Sequence, residues 1–289
     1  MTRVETVQTS LGDVEVAIVE GGGRRPVLFF PGGHCSAVCD CGWDLYTRLG
    51  HTVVSFSRPG YGRTNVGQLS AVEFVPAVEQ ACSALALSEV EAIVGVSFGG
   101  LQAVCTALSD QVGAPRLVLH SAVSTLPYPE SRAQRVAGPI VFGPRVQAGA
   151  WSAISRAVCT ERGLRAMSGT LSTLPVDKWW PTLSREDRER ARTLFQTMRS
   201  GHGFINDLRQ ARPDTSKYRH WLLQQIARTT LVTGSRTDAG VDFAHAEDLA
   251  AVIPDARLVE LDAPSHLFWL GPQAESARRA VQNFLPAPG

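Results

Sequence analysis

Ser97 stands in Gly95-Val96-Ser97-Phe98-Gly99-Gly100, a G-x-S-x-G element directly behind an apolar run, Val90 to Val94, and ahead of a helical pattern. Strand, tight turn and helix is the order that a nucleophilic serine requires. A hydroxyl is a weak nucleophile at neutral pH, so it must be held clear of the chain, beside a base and close to the positive end of a helix. Gly95 and Gly99 flank it without a Cβ to clash with helix or strand. The base is read as His266, in Ala263-Pro264-Ser265-His266-Leu267. An acid must lie between the two in chain order, and Asp238 does, just past the apolar run Thr230-Leu231-Val232 and the turn at 233–237. All three then fall at strand ends on one sheet edge, where Asp238 can fix the imidazole tautomer and His266 can take the serine proton. Singly, a turn aspartate and a loop histidine are ordinary. Their order together points to acyl transfer. Asp242 is better placed to cap the helix that follows it, and Asp262, just before His266, is the second choice for the acid.

Acyl transfer also needs donors for a developing oxyanion. Phe30-Pro31-Gly32-Gly33-His34-Cys35 is a glycine-containing loop behind another apolar run, and the backbone N–H groups of Gly33 and Phe98 are the expected pair. His34 and Leu267 are expected in the pocket wall. The other histidines, His51, His120, His202, His220 and His245, have no metal-ligand spacing and read as structural. Cys35, Cys39 and Cys41 form a C-x3-C-x-C cluster with no second ligand pair, so no metal is expected there. With Cys82, Cys105 and Cys159 they read mostly as reduced thiols. Gly21-Gly22-Gly23 precedes a strand instead of following one, the wrong order for a dinucleotide loop, and no Walker or HExxH pattern occurs. No cofactor is expected.

The elements that position these residues show in the apolar pattern. Residues 3–8 and 13–20 alternate with period two around the turn Leu11-Gly12-Asp13, which predicts an opening hairpin. Val27 to Phe30, Val53 to Phe56, Val90 to Val94, Leu117 to Leu119, Thr230 to Val232 and Leu258 to Leu261 are short apolar runs of the kind found in buried parallel strands. Ala71 to Leu87, Leu101 to Leu108, His245 to Val252 and Gln273 to Phe284 carry helical periodicity. Alternation of the two predicts a doubly wound α/β domain.

The alternation stops after Leu119 and resumes at Thr230. Between them lie helical patterns divided by prolines, including Pro139, Pro144 and Pro175, with Trp151, Trp179, Trp180 and Trp221. These rings either form the core of a helical cap or face a cleft beneath it, and Trp151 and Trp179 are the candidates for the pocket. Arg132, Arg135, Arg145, Arg156, Arg162 and Arg165 could recognise an anion or form a solvated helix face.

The chain has 289 residues, 44% hydrophobic and 19% charged, which excludes general disorder. With 28 basic against 27 acidic residues the net charge is +1, so neither nucleic acid nor an anionic membrane is an expected partner. The first residues alternate polar and apolar without the basic-then-apolar pattern of a secretory signal, and a cytoplasmic location is expected. The expected partner is a small-molecule substrate; a homodimer is left open.

Over nearly its full length the chain resembles the α/β-hydrolase fold serine hydrolases with a helical cap, a group that includes esterases, carbon–carbon hydrolases and proline iminopeptidases. The resemblance rests on the serine element, on the order Ser97, Asp238, His266, and on Ser55 to Thr64, which is similar to the family's D-x-R/P-G-x-G-x-S loop. It implies a mostly parallel eight-stranded sheet whose second strand is antiparallel, with helices on both faces and a cap inserted after the sixth strand. The core would comprise residues 1–123 and 228–289, and the cap 124–227. The implied activity is cofactor-independent hydrolysis of an ester, lactone or thioester through an acyl-enzyme. The alternative is a ligand-binding or non-hydrolytic cyclase or lyase of the same fold. Three departures stand out. Pro31-Gly32 replaces the frequent His-Gly, three residues instead of two separate Gly234 from Asp238, and no carboxylate follows His120-Ser121 before Glu130.

Overall fold

The computed structural model describes residues 2–129, 143 and 145–286; Glu130, Arg132, Arg135, Pro139, Pro144 and the tail 287–289 lie outside the described residues. The strands are β1 (Thr2–Thr9), β2 (Gly12–Val19), β3 (Arg24–Phe30), β4 (His51–Phe56), β5 (Ala92–Val96), β6 (Arg116–His120), β7 (Thr229–Gly234) and β8 (Ala256–Glu260). They form one sheet in the order β1-β2-β4-β3-β5-β6-β7-β8. β2 pairs antiparallel with both β1 and β4, and every other pairing is parallel. The expected eight-stranded, mostly parallel α/β-hydrolase sheet is the one observed.

Alternation along each strand sends side chains to two cores. Leu28 and Phe30 of β3, Ile93 of β5, and Leu117 and Leu119 of β6 point to one face, where helices α2 (Ala71–Ala84) and α3 (Gly99–Ala107) cover them. Val27 and Phe29, Val94 and Val96, and Val118 point to the other, against α1 (Asp44–Thr47) and Ala277 and Val281 near the C-terminus. Burial on both faces is why these strands read as unbroken apolar runs. β5 begins two residues later than its apolar run suggests. Val90 and Glu91 bond instead to Gly113 and Pro26, and the strand extends through Gly95 to Val96.

Between β6 and β7 the described residues form α4 (Gln147–Ala157), α5 (Glu161–Gly169), α6 (Arg185–Thr197), α7 (Gly203–Gln210) and α8 (Ser216–Gln224), with short 3-10 turns. Trp151, Trp179 and Trp180 are buried there, whereas Trp221 is exposed and stacks on Tyr218. Two more helices, α9 (Phe243–Val252) and α10 (Ala274–Phe284), follow β7 and β8. Among the described residues no helix is long and apolar enough to cross a membrane.

Candidate active site

Ser97 has φ +53°, a left-handed conformation that a serine adopts only when its surroundings impose it. The two glycines of its element explain how. A Cβ on Gly99 would lie 2.0 Å from the Phe30 carbonyl oxygen, and one on Gly95 would lie 2.7 Å from Gly100 Cα and Ala103 Cβ. Their absence lets α3 close on the ends of β3 and β5, with Ser97 at the crest. The turn is fixed by Ser97 N–H donating to the His120 carbonyl at 3.0 Å and by Gly100 N–H donating back to Ser97.

Asp238 and His266 meet. His266 Nδ1 lies 2.8 Å from Asp238 Oδ2 and 3.0 Å from Oδ1. Asp238 is buried, and its Oδ1 also accepts the N–H groups of Gly240 at 2.7 Å and Val241 at 3.0 Å, which aims the carboxylate. Burial alone disfavours the imidazolium, but the charge and hydrogen bond of Asp238 outweigh it and raise the His266 pKa above 6.5. The extra residue before Asp238 is absorbed by a stitched turn, in which Ser235 and Thr237 hydroxyls both donate to the Ala263 carbonyl. Asp242 caps α9 by accepting from Ala244 N–H, as its position suggests, and no hydrogen bond joins Asp262 to His266 among the described residues. No hydrogen bond joins Ser97 to His266 among the described residues. The two share one cavity wall, and such contacts often tighten only once substrate is bound.

A contribution invisible in the sequence comes from the helical insertion. The Leu171 carbonyl accepts the His266 N–H at 2.9 Å and the Ala239 N–H at 3.3 Å, while Thr173 N–H donates to Thr237. One backbone oxygen thus ties the loop of the base to the loop of the acid.

The loop after β3, expected to carry an oxyanion donor, is held from beneath. Arg58 donates to the carbonyls of Pro31 at 3.2 Å and Gly32 at 2.9 Å, and it forms a two-pronged ion pair with Asp207 of α7. Tyr61 donates to Asp207 at 2.6 Å and accepts the His34 N–H at 3.3 Å. All three side chains are buried. Burial opposes the charge on Arg58, and the Asp207 carboxylate and Tyr61 reverse this, so the guanidinium pKa is raised. Because a trans peptide points its C=O and N–H in opposite directions, fixing the Gly32 carbonyl on Arg58 turns the Gly33 N–H the other way. Gly33 lies in the wall with Ser97 and Phe98, and neither Gly33 nor Phe98 N–H has a hydrogen-bond partner among the described residues.

The cavity has a volume of about 180 Å³. Besides Ser97 and His266 its wall includes the sequence candidates Gly33, His34, Phe98 and Leu267. Phe195, Met198 and Phe204 of the insertion, with Tyr128 and Trp269, complete an apolar lining that sequence reading missed. Trp151 and Trp179 are corrections: neither is in the described wall. Trp151 is buried one layer out, donating to Ser200 at 2.7 Å with its ring 5.1 Å from that of His34. Trp179 packs edge-on against Trp180, in the hydrophobic core that the insertion shares with one face of the sheet. His34 stacks on Phe204, and burial, with Arg58 nearby, lowers its pKa to about 3, so it is neutral at physiological pH. Arg145, Arg156, Arg162 and Arg165 are not in the described wall either.

The profile of the alpha/beta hydrolase family matches residues 27–279. The chain is 30% identical over 291 residues to an uncharacterized hydrolase, YcgS, of Bacillus subtilis (strain 168), with 98% of each chain covered. Among solved structures, an alpha/beta hydrolase fold protein from Nakamurella multipartita superposes with a TM-score of 0.73 at 25% identity, covering 98% of this chain and 99% of that one. A thermophilic esterase from Thermogutta terrifontis, with malate bound, shares the fold at a TM-score of 0.67 and 18% identity, over 98% and 97% of the two chains.

Proposed function

The chain belongs to the alpha/beta hydrolase family, and on that premise we propose that it is a serine hydrolase of small, uncharged carboxylic esters, lactones or thioesters. The observation that carries this reading is the meeting of the buried Asp238–His266 pair and the strained Ser97 at one apolar cavity. His266 takes the Ser97 proton as Oγ attacks the carbonyl carbon, and Asp238 holds the imidazole in the tautomer with Nδ1 protonated. The tetrahedral oxyanion is received by the N–H groups of Gly33 and Phe98. His266 then returns the proton to the leaving group, and water repeats the sequence to release the acid. The helical insertion acts as the cap. An apolar wall of about 180 Å³ fits a short acyl chain, and the absence of a charged side chain in the described wall, apart from the catalytic histidine, favours a neutral substrate.

The test is intact mass after exposure to a fluorophosphonate. Wild type should gain one adduct, mapped to Ser97, and His266→Ala should gain it far more slowly. An unlabelled wild type that is folded by circular dichroism would overturn the reading.

The raised pKa of His266 sets a pH dependence. The base must be neutral to act, so kcat/KM for an ester should climb through an acid limb centred above pH 6.5. Asp238→Asn removes the charge that raises the pKa, and should lower both the plateau and the midpoint of that limb. A wild-type midpoint below 6.5 would contradict the assignment. The sign for stability is opposite: the pair's contribution is complete below pH 6.5 and is lost as pH rises through the raised value.

A further inference from the structure

The C-x3-C-x-C cluster has no part in the chemistry above, yet it forms the continuation of the oxyanion loop. Cys35 follows Gly33 by two residues, and its N–H donates to the Gly32 carbonyl at 3.4 Å. Cys41 Sγ lies 3.9 Å from Cys35 Sγ, and Cys39 stands two residues before Cys41 on the same loop. All three are buried free thiols. Cys35 and Cys41 face the catalytic cavity, whereas Cys39 lines a separate depression with Asp40, Trp43 and Arg190. The cluster is therefore a partition between the active site and the outside of the molecule. Among the described residues no group of three metal-ligating side chains is arranged to hold an ion.

We propose that this cluster is a peroxide-sensitive thiol switch for the oxyanion loop, with Cys35 as the sulfur that closes a disulfide onto Cys39 or Cys41. In the first step a neighbouring thiol attacks a hydroperoxide, ROOH, giving a sulfenic acid and releasing ROH. In the second, Cys35 Sγ attacks the sulfenic sulfur, forming the disulfide and releasing water. Two electrons leave the thiol pair and reduce the peroxide. The Cys35 thiol and the Ser36 groups stabilise the Cys39 thiolate, lowering its pKa despite burial. The same contacts and burial push the Cys35 thiol up, so Cys39 is the sulfur that meets the peroxide and Cys35 the one that follows; Cys82 and Cys105, buried in the opposite core, are also pushed up, to about 12, and have no cysteine partner there among the described residues. Closing a bond between sulfurs now 3.9 Å apart requires them to approach by about 2 Å. Cys35 lies two residues past Gly33 on the loop whose Gly32 carbonyl is held by Arg58, so drawing its sulfur toward a partner is expected to displace the Gly33 N–H. The switched-off state is a misaligned oxyanion donor.

The experiment treats Cys159→Ser protein with hydrogen peroxide, because Cys159 is exposed and would form cross-links between chains. Oxidation should remove two titratable thiols and 2 Da per chain, and peptide mapping should find Cys35 in the disulfide. Hydrogen exchange of the segment 31–43 should change, and ester turnover should fall about a hundredfold, as for loss of one oxyanion donor. Dithiothreitol should restore all of these. Cys35→Ser should abolish the switch; should that variant not fold, Cys39→Ser with Cys41→Ser leaves Cys35 without a partner and should abolish it equally. Thiols that stay reduced at peroxide levels sufficient to oxidise Cys159 in wild type would overturn the proposal. So would a Cys35 disulfide that leaves both exchange and turnover unchanged, or a gain of 16 Da on Met198 as the sole product. The proposal uses the hydrolase reading only for turnover: reduced protein without esterase activity counts against that reading, whereas mass and exchange judge the switch.

Discussion

Ser97→Ala is expected to lower ester turnover by about 10⁴-fold or more while leaving the fold and its stability almost untouched. Both halves follow from the geometry. Ser97 Oγ is the only hydroxyl in the described wall besides Tyr128, and Tyr128 donates to the Gly240 carbonyl at 2.9 Å. On the proposed mechanism no acyl-enzyme can form without Oγ, and what would survive is stabilisation by the Gly33 and Phe98 donors together with substrate binding. The backbone bonds that fix the turn, to His120 and from Gly100 and Val123, are independent of the side chain. The Ser97 hydroxyl makes no hydrogen bond to another described residue, so removing it orphans nothing, and the denaturant midpoint should move by about 0.5 kcal/mol at most. The checks are kcat for p-nitrophenyl acetate and the urea midpoint of the same preparation. Retention of a tenth of the activity would place the nucleophile elsewhere.

Asp207→Ala should be the most destabilising single change in the site region, by about 3–5 kcal/mol, because it leaves the Arg58 guanidinium buried without its counter-charge. On the proposed mechanism it should also lower kcat, since Arg58 holds the Pro31 and Gly32 carbonyls of the loop that would supply the Gly33 donor. Loss of folding alone would mimic that, so a second variant separates the effects. Replacing both partners by apolar residues, Arg58→Met with Asp207→Leu, removes the uncompensated charge and should recover most of the stability. It cannot recover the bonds to Pro31 and Gly32. Its kcat should stay depressed by about 10²-fold, with KM changed much less, if the pair is a positioning device for the oxyanion donors. Full recovery of kcat together with stability would reduce the pair to a structural tie.

What the sequence reveals depends on how local each feature is. Ser97 is legible because the glycines that shape its turn are two residues away on either side, so the whole device fits in one short window. The strand end before Asp238 is legible because burial writes an apolar run into β7, whereas β8, ahead of His266, is a half-exposed edge strand that shows only as the short run Leu258 to Leu261. Asp207 is not legible: it sits on α7, 149 residues from Arg58, and an aspartate within an amphipathic helix reads as one more solvated acid. The role of Leu171 is carried by its backbone oxygen, to which its residue type contributes nothing. Trp151 and Trp179 mislead for a related reason, since a large ring announces burial without saying on which side of the wall it is buried. Phe195, Met198 and Phe204 do reach the cavity, but their helical spacing cannot distinguish that wall from the insertion's own packing.

The stitch at Leu171 bears on how anything enters and leaves. A lid that swung open as one rigid body would have to break the bonds from His266 and Ala239 to that single oxygen, and would also withdraw Asp207 from Arg58. If the insertion is the cap proposed above, substrate is expected to pass while residues 171–173 and 207 stay seated, through local yielding elsewhere in the insertion. On that reading the part of the insertion that would admit substrate differs from the part that keeps His266 and Asp238 aligned, so the former could fluctuate without the latter losing its aim.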